Sequence, residues 1–237
     1  MNLKKLNICK EKNYKSFNYF GWDVDDEDPL YKKFILINRD MTSEDLMIYK
    51  KIEKNFLKNK RTALHIGSHY GFKTKILSEI FSNVHAFDFD NKIHTFLKHN
   101  LKKFKLTNIQ IHSYGLGDQN KNVGNSDFIE RKQINGPLSN HVVEDIYGEF
   151  KVKRLDDLKI NNIDLMIIDT EGYELNVLKG GIKTIVRDKP LLIIEIHKIK
   201  DLTSRYGYKK KEIIKFLEEI GYKARGYIND EDLLFTC

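Results

Sequence analysis

Cysteine, proline and long apolar runs are scarce in this chain, and each scarcity removes a class of protein. Two cysteines occur in 237 residues, Cys9 and Cys237, one near each end. They form neither a disulfide framework nor a metal-ligand spacing, so a disulfide-stapled fold and a zinc finger are excluded. Three prolines and 14 glycines without a period exclude collagen-like and low-complexity chains. No apolar stretch approaches the roughly 18 residues of a membrane helix. The best, Leu191–Ile196, is strand-length, and no membrane insertion is expected. The opening MNLKKLNICKEKN is basic but lacks the apolar stretch of a signal peptide. The expected compartment is therefore the cytoplasm.

The chain has 41% hydrophobic and 11% aromatic residues, enough for a sizeable core and too many for a disordered polar chain. Lys and Arg number 41 against 34 Asp and Glu, a formal charge of +7. The lysines are dispersed without interleaved aromatics, and Asp23, Asp25, Asp26, Glu27 and Asp28 interrupt the basicity. Solvated helix faces account for such a set. A nucleic-acid partner is accordingly not the expectation, although the charge keeps it as the alternative. Oligomeric state is not legible.

Residues 1–42 read as irregular chain or short strands. A helix capped by Thr42 or Ser43 follows to about Asn59. Residues 1–60 are thus read as an N-terminal extension or lid with one helix, and 61–237 as the main domain. From there, strands alternate with helices. Ala63–Ile66, Val84–Phe87, Ile109–His112, Phe150–Val152, Ile163–Ile168 and Leu191–Ile196 are the strands. Phe72–Phe81, Ile93–Phe104, Tyr173–Lys179 and Lys209–Ile220 are the helices, the third stopped at Gly180-Gly181. Residues 119–148, polar and rich in Gly and Asn, read as a mobile, variable insertion. Two strands around Asn229-Asp230 close the chain. The alternation predicts an α/β fold with a doubly wound, mostly parallel sheet and an antiparallel C-terminal edge hairpin. Ligands in such sheets bind beyond the carboxyl ends of the strands, where the strand order switches.

Strand one runs into Gly67-Ser68-His69-Tyr70-Gly71 and then a helix. Glycine there permits a tight turn and close approach of backbone to a ligand. Strand two ends in Asp88, 21 residues after Gly67. A carboxylate in that place can accept both ribose hydroxyls of an adenosine. GSHYGFKT, residues 67–74, also approaches the phosphate-binding loop, and LMIIDTE at 165–171 the magnesium-holding strand of such enzymes. Phe72 stands where that cradle needs its second glycine, which weighs against an NTPase.

Asp88, GLGD at 115–118, LDDL at 155–158 and DTEGYELNVLKGG at 169–181, followed by PLLIIEIH, occur in one order. With them the chain resembles FkbM-type methyltransferases over about residues 62–197. The resemblance implies a Rossmann-like class I methyltransferase fold and an S-adenosylmethionine-dependent O-methyltransferase. Enzymes of this type often act on hydroxyls of a sugar, glycan or small natural product. It implies that Gly67, Ser68, His69 and Gly71 face the methionine part of the cofactor and that Asp88 holds the ribose, with Phe89 beside it. Ser113 and Tyr114 stand where the fold class contacts adenine, and Ser139 in GPLSN stands where the family often lines the acceptor pocket. The chain departs from the family pattern at His65, His69 and Ile167, where Asp, Asn and Lys are common.

A sulfonium already activates its methyl group, so the protein has mainly to orient an acceptor oxygen and remove its proton. Asp169, Glu171, Glu195 and His197 follow adjacent strands and are the candidate catalytic residues. His197 is the first choice for base, since an unperturbed imidazole titrates near 6.5. The alternative is Mg²⁺ on the carboxylates; it is not favoured because no Asp-Asp pair follows strand four, and no metal ligand is assigned. Two other functions stay open. An RNA 2′-O-methyltransferase would use Asp169 and Lys198 as half of its Lys-Asp-Lys-Glu set. A non-catalytic partner protein would be permitted by His65 and His69.

Overall fold

The computed structural model describes residues 6–7, 14–125, 142–145, 147–196 and 202–237. Its centre is a seven-stranded sheet. In chain order its strands are β4 (Thr62–Ile66), β5 (Asn83–Phe87), β6 (Ile109–His112), β11 (Ile163–Ile168), β12 (Leu191–Glu195), β13 (Lys223–Tyr227) and β14 (Asp232–Thr236). The spatial order is β13-β14-β12-β11-β4-β5-β6. The strands from β12 to β6 are parallel, and β14 joins β12 and β13 antiparallel, which is the expected doubly wound sheet with its edge hairpin. From β4 the chain proceeds outward to β5 and β6; from β11 it proceeds the other way to β12. The switch point is therefore the β4–β11 seam.

Successive side chains of a strand point to opposite faces, and both faces of this sheet are covered. Leu165, Ile167, Leu191 and Ile193 face helices α2 (Met41–Phe56) and α3 (Phe72–Ile80), where Tyr49, Ile52, Ile76 and Leu77 meet them. Met166, Ile168, Leu192 and Ile194 face the other way. They pack with Leu178 of α5 (Glu174–Gly180), Ile185 of α6 (Ile182–Asp188) and Ile213 and Leu217 of α7 (Lys210–Glu219). Among the described residues no helix is long and apolar enough to cross a membrane.

The first sixty residues hold two helices, not one. Besides α2 there is α1 (Pro29–Leu36), nucleated by Asp28, whose Oδ1 accepts from the backbone N–H of Leu30 (2.9 Å) and Tyr31 (3.3 Å). A three-stranded sheet of β1 (Leu6–Asn7), β2 (Lys15–Tyr19) and β3 (Trp22–Asp25) precedes it. The acidic run that interrupts the basicity in the sequence is largely buried: Asp23 is 1% exposed, Asp25 3% and Asp28 2%. Basic groups of α4 (Asn91–Lys103) meet it, Lys103 and His99 on Asp23 at 2.8 and 2.9 Å and Lys92 on Asp25 at 2.5 Å. Trp22 stands edge-on to Phe72 at 4.6 Å, so this segment packs on the start of α3.

The insertion, too, carries regular structure. β8 (Lys121–Asn125) and β9 (Val142–Glu144) join β7 (Gly115–Leu116) and β10 (Phe150–Lys153) in a four-stranded sheet, order β7-β10-β8-β9. Gly180-Gly181 does end α5, but α6 follows at once. A Cβ on Gly180 would lie 1.8 Å from the carbonyl oxygen of Gly117, so this glycine serves a close crossing of backbones as well as a stop.

Candidate active site

At the switch point two backbones touch. A Cβ on Gly67 would stand 1.7 Å from the carbonyl oxygen of Asp169, and the Gly67 φ is +82°. Only glycine lets the turn after β4 pass the end of β11. The Gly67 and Ser68 N–H groups both donate to the Phe87 carbonyl at 2.9 Å, which ties the turn to the end of β5. His69 takes a positive φ of 48°, and Gly71, at φ +95°, starts α3. Its hydrogen sits where a Cβ would lie 2.7 Å from Leu97.

Asp88 follows β5 and reaches back to the turn. Its Oδ2 accepts from the His69 N–H at 2.9 Å and its Oδ1 from the Asp90 N–H at 3.1 Å. Burial lifts its carboxyl to about 6, with His69 and the two N–H donors pulling the other way. Ser68 Oγ is buried in the turn with no hydrogen-bond partner among the described residues. An orphaned hydroxyl, a backbone stripped of Cβ and a carboxylate at the neighbouring strand end suit an adenosine cofactor with a polar tail.

Across the seam stand the carboxylates. Asp169, Glu171 and Glu195 each bring an oxygen within 4.8 Å of the others. Glu171 has a left-handed backbone, φ +56°, and its N–H donates to Glu195 Oε2 at 3.1 Å. Burial, then the charges of Asp169 and Glu174, lifts the Glu171 carboxyl to about 7. Burial and the charges of Asp169 and Glu171 push Glu195 well above the carboxylate range. Glu174 is 1% exposed; its Oε1 accepts from Gly172 N–H (2.9 Å), Thr170 Oγ1 (3.0 Å) and Thr170 N–H (3.1 Å). Its carboxyl too is lifted by burial, to about 7.

Asp169 alone of this group is pulled down, because Lys73 overcomes the effect of its burial. The Lys73 ammonium lies 3.0 Å from Asp169 Oδ2 and 3.4 Å from Asp232 Oδ2. The sequence reading misses this lysine because its partners lie 96 and 159 residues away. One signal was available: Lys73 is the second residue of a helix, where the macrodipole disfavours a cation unless carboxylates answer it. His65, buried beneath, bonds Thr74 Oγ1 through Nδ1 at 2.7 Å and is held neutral, its burial lowering it to about 3.

The structure thus brings Gly67, Ser68, His69, Gly71, Asp88, Asp169, Glu171 and Glu195 to one crevice. Tyr114 stands apart from it. Its hydroxyl meets His112 Nδ1 at 3.0 Å, the Lys153 ammonium lies 4.2 Å over its ring, and it lines a cavity of about 450 Å³ with His85, Asn83 and Thr62. Ser113 is exposed, and Phe89 packs edge-on to Phe150 at 5.5 Å. His197, Lys198 and Ser139 lie outside the described residues. The three clustered carboxylates are a hard-oxygen set that could hold a divalent cation such as Mg²⁺. Lys73 already supplies positive charge to one of them.

A family model described as the methyltransferase FkbM domain matches residues 65–224. No curated protein matches the chain. Among solved structures, a methyltransferase FkbM from Methylobacillus flagellatus KT superposes with a TM-score of 0.51 at 18% identity, covering 74% of this chain and 43% of its own. This chain therefore spans less than half of that protein. A SAM-dependent methyltransferase from Aquifex aeolicus gives 0.50 at 16% identity, covering 86% of this chain and 96% of that one. Trm5b from Pyrococcus abyssi gives 0.51 at 12% identity, covering 94% and 55%. At such identities the likeness is one of fold.

Proposed function

The chain belongs to the FkbM methyltransferase family, and on that premise we propose that it moves the methyl group of S-adenosylmethionine to a hydroxyl of a sugar, glycan or small natural product. The observation that carries this reading is the meeting of the Gly67 turn and Asp88 with three carboxylates at the switch point. Asp88 binds the ribose hydroxyls with the lone pairs its two N–H donors leave over. Ser68 Oγ and the backbone of the turn bind the methionine part, and Phe89 and Ser113 are the candidates beside adenine, Tyr114 being turned to His112 instead.

When bound, the cofactor supplies an electrophilic methyl group, so the chain's own work is to orient an oxygen and take its proton. Glu171 is suited to that. Its carboxyl titrates near 7, where a general base works best at neutral pH, and its left-handed backbone sits next to Gly172 in the turn after β11. Glu195 fixes the Glu171 N–H, and Asp169 stays ionised beside Lys73. His197, two residues beyond β12, is the second candidate base. A divalent cation on Asp169, Glu171 and Glu195 is the alternative route to the same proton, favoured by their oxygens lying within 4.8 Å of one another.

The test is transfer of labelled methyl from S-adenosylmethionine to separate fractions of glycans, small hydroxylated metabolites and RNA. Label in a glycan or small-molecule fraction supports the reading. Label in RNA alone would replace the acceptor class, in keeping with the net charge of +7. Activity unaffected by EDTA would assign the proton to a protein base.

A further inference from the structure

Asp169 and Asp232 share one cation but are not held alike. Asp232 is fixed by its own hairpin turn: Asn229 Nδ2 donates to its Oδ2 at 2.8 Å, and its N–H donates to Asn229 Oδ1 at 2.6 Å. The Asp169 carboxylate has one hydrogen-bond donor among the described residues, Lys73. Around it are Glu171 and Glu195, each with a carboxylate oxygen within 4.8 Å of its own and neither offering it a cation. Lys73 is 17% exposed at its side chain, and Asp169, at 28%, is the more open of the pair toward the crevice. Asp45 and Tyr49 of α2 also act electrostatically on the same ammonium.

We propose that Lys73 is a positioning residue of the transfer site, holding the Asp169 carboxylate in place across the switch point, and that its effect on turnover passes through Asp169 and not through Asp232. This rests on the functional reading above. Asp232 matters to Lys73 as a counter-charge, and Lys73 matters to Asp169 as its one hydrogen-bond donor among the described residues. Two substitutions that act through one contact do not add.

The experiment is labelled-methyl transfer by the wild type and by Lys73→Met, Lys73→Arg, Asp169→Asn, Asp232→Asn and Lys73→Met/Asp169→Asn, with thermal midpoints measured alongside. Loss of one charge-assisted contact should lower kcat by about tenfold or more in Lys73→Met and in Asp169→Asn. The double variant should be no worse than the poorer single, within about threefold. Lys73→Arg should recover most of the turnover, and Asp232→Asn should stay within about threefold of the wild type. Multiplied losses in the double variant, or a fall in Asp232→Asn equal to that in Asp169→Asn, would overturn the inference while leaving the functional reading intact. If Lys73→Met does not fold, the comparison of Asp169→Asn with Asp232→Asn decides. A wild type that methylates no fraction overturns the functional reading and the role of Lys73 with it.

Discussion

Replacing Glu174 by Gln should make the protein less sensitive to rising pH. The carboxyl is buried, one of its oxygens accepts three hydrogen bonds, and the other has no partner among the described residues. Burial raises its proton affinity from an ordinary 4.5 to about 7. A carboxyl that holds its proton more tightly when folded favours the fold in acid. That contribution is complete below pH 4.5 and is lost as pH rises to about 7. At about 1.4 kcal/mol for each tenfold change in proton affinity, the loss reaches up to about 3 kcal/mol. Gln keeps an oxygen for the three donors and cannot ionise. It places an unpaired amide N–H where the lone oxygen was, a cost that does not vary with pH. Urea unfolding between pH 4.5 and 8, followed by the fluorescence of buried Trp22, reads the difference. The wild type should lose stability over this range, and the variant should gain on it by up to about 3 kcal/mol. Parallel curves for the two proteins would refute the reasoning.

Glu171→Gln should lower turnover by about 10²–10⁴-fold with cofactor affinity little changed, and the acid limb of the wild-type rate should fall near pH 7; His197→Ala matching that loss, with Glu171→Gln fully active, would move the base to the histidine. Gly67→Ala should cost more than about 3 kcal/mol or prevent folding, because its Cβ would meet a backbone oxygen at 1.7 Å; a thermal midpoint equal to that of the wild type would contradict the packing of the seam. Cofactor affinity should strengthen as pH rises through about 6, where Asp88 ionises; calorimetric titration at pH 5 and pH 8 checks the direction.

The sheet was legible in the sequence because its strands are short apolar runs such as Ile163–Ile168, bounded by turns, and because both faces are buried. What escaped depends on contacts that sequence spacing cannot carry. α1 is only eight residues long and opens on Pro29; the Asp28 cap and the packing of Tyr31 on Phe72 at 5.3 Å make it a helix. β8 of the insertion pairs with β10 on one side and β9 on the other across gaps in sequence, and its mostly polar residues carry little strand signal of their own. In the site, the i, i+2 spacing of Asp169 and Glu171 marked the carboxylates correctly as neighbours. That Glu171 and Glu195 would rise while Asp169 fell was not readable, since the difference comes from Lys73 on another element. The acidic run at 23–28 shows the same limit: its charges are ion-paired and capping groups under α1 and α4.

The central claim is that the Gly67 turn and Asp88 together form the cofactor site. Isothermal titration with S-adenosylhomocysteine at neutral pH, on the wild type and on Asp88→Ala, tests it most directly. Removing a charge-assisted acceptor typically loses about 1.5–3 kcal/mol. The account predicts saturable one-to-one binding that weakens at least about tenfold in Asp88→Ala, with the fold retained. Absence of binding to the wild type, or equal affinity in the two proteins, would contradict it.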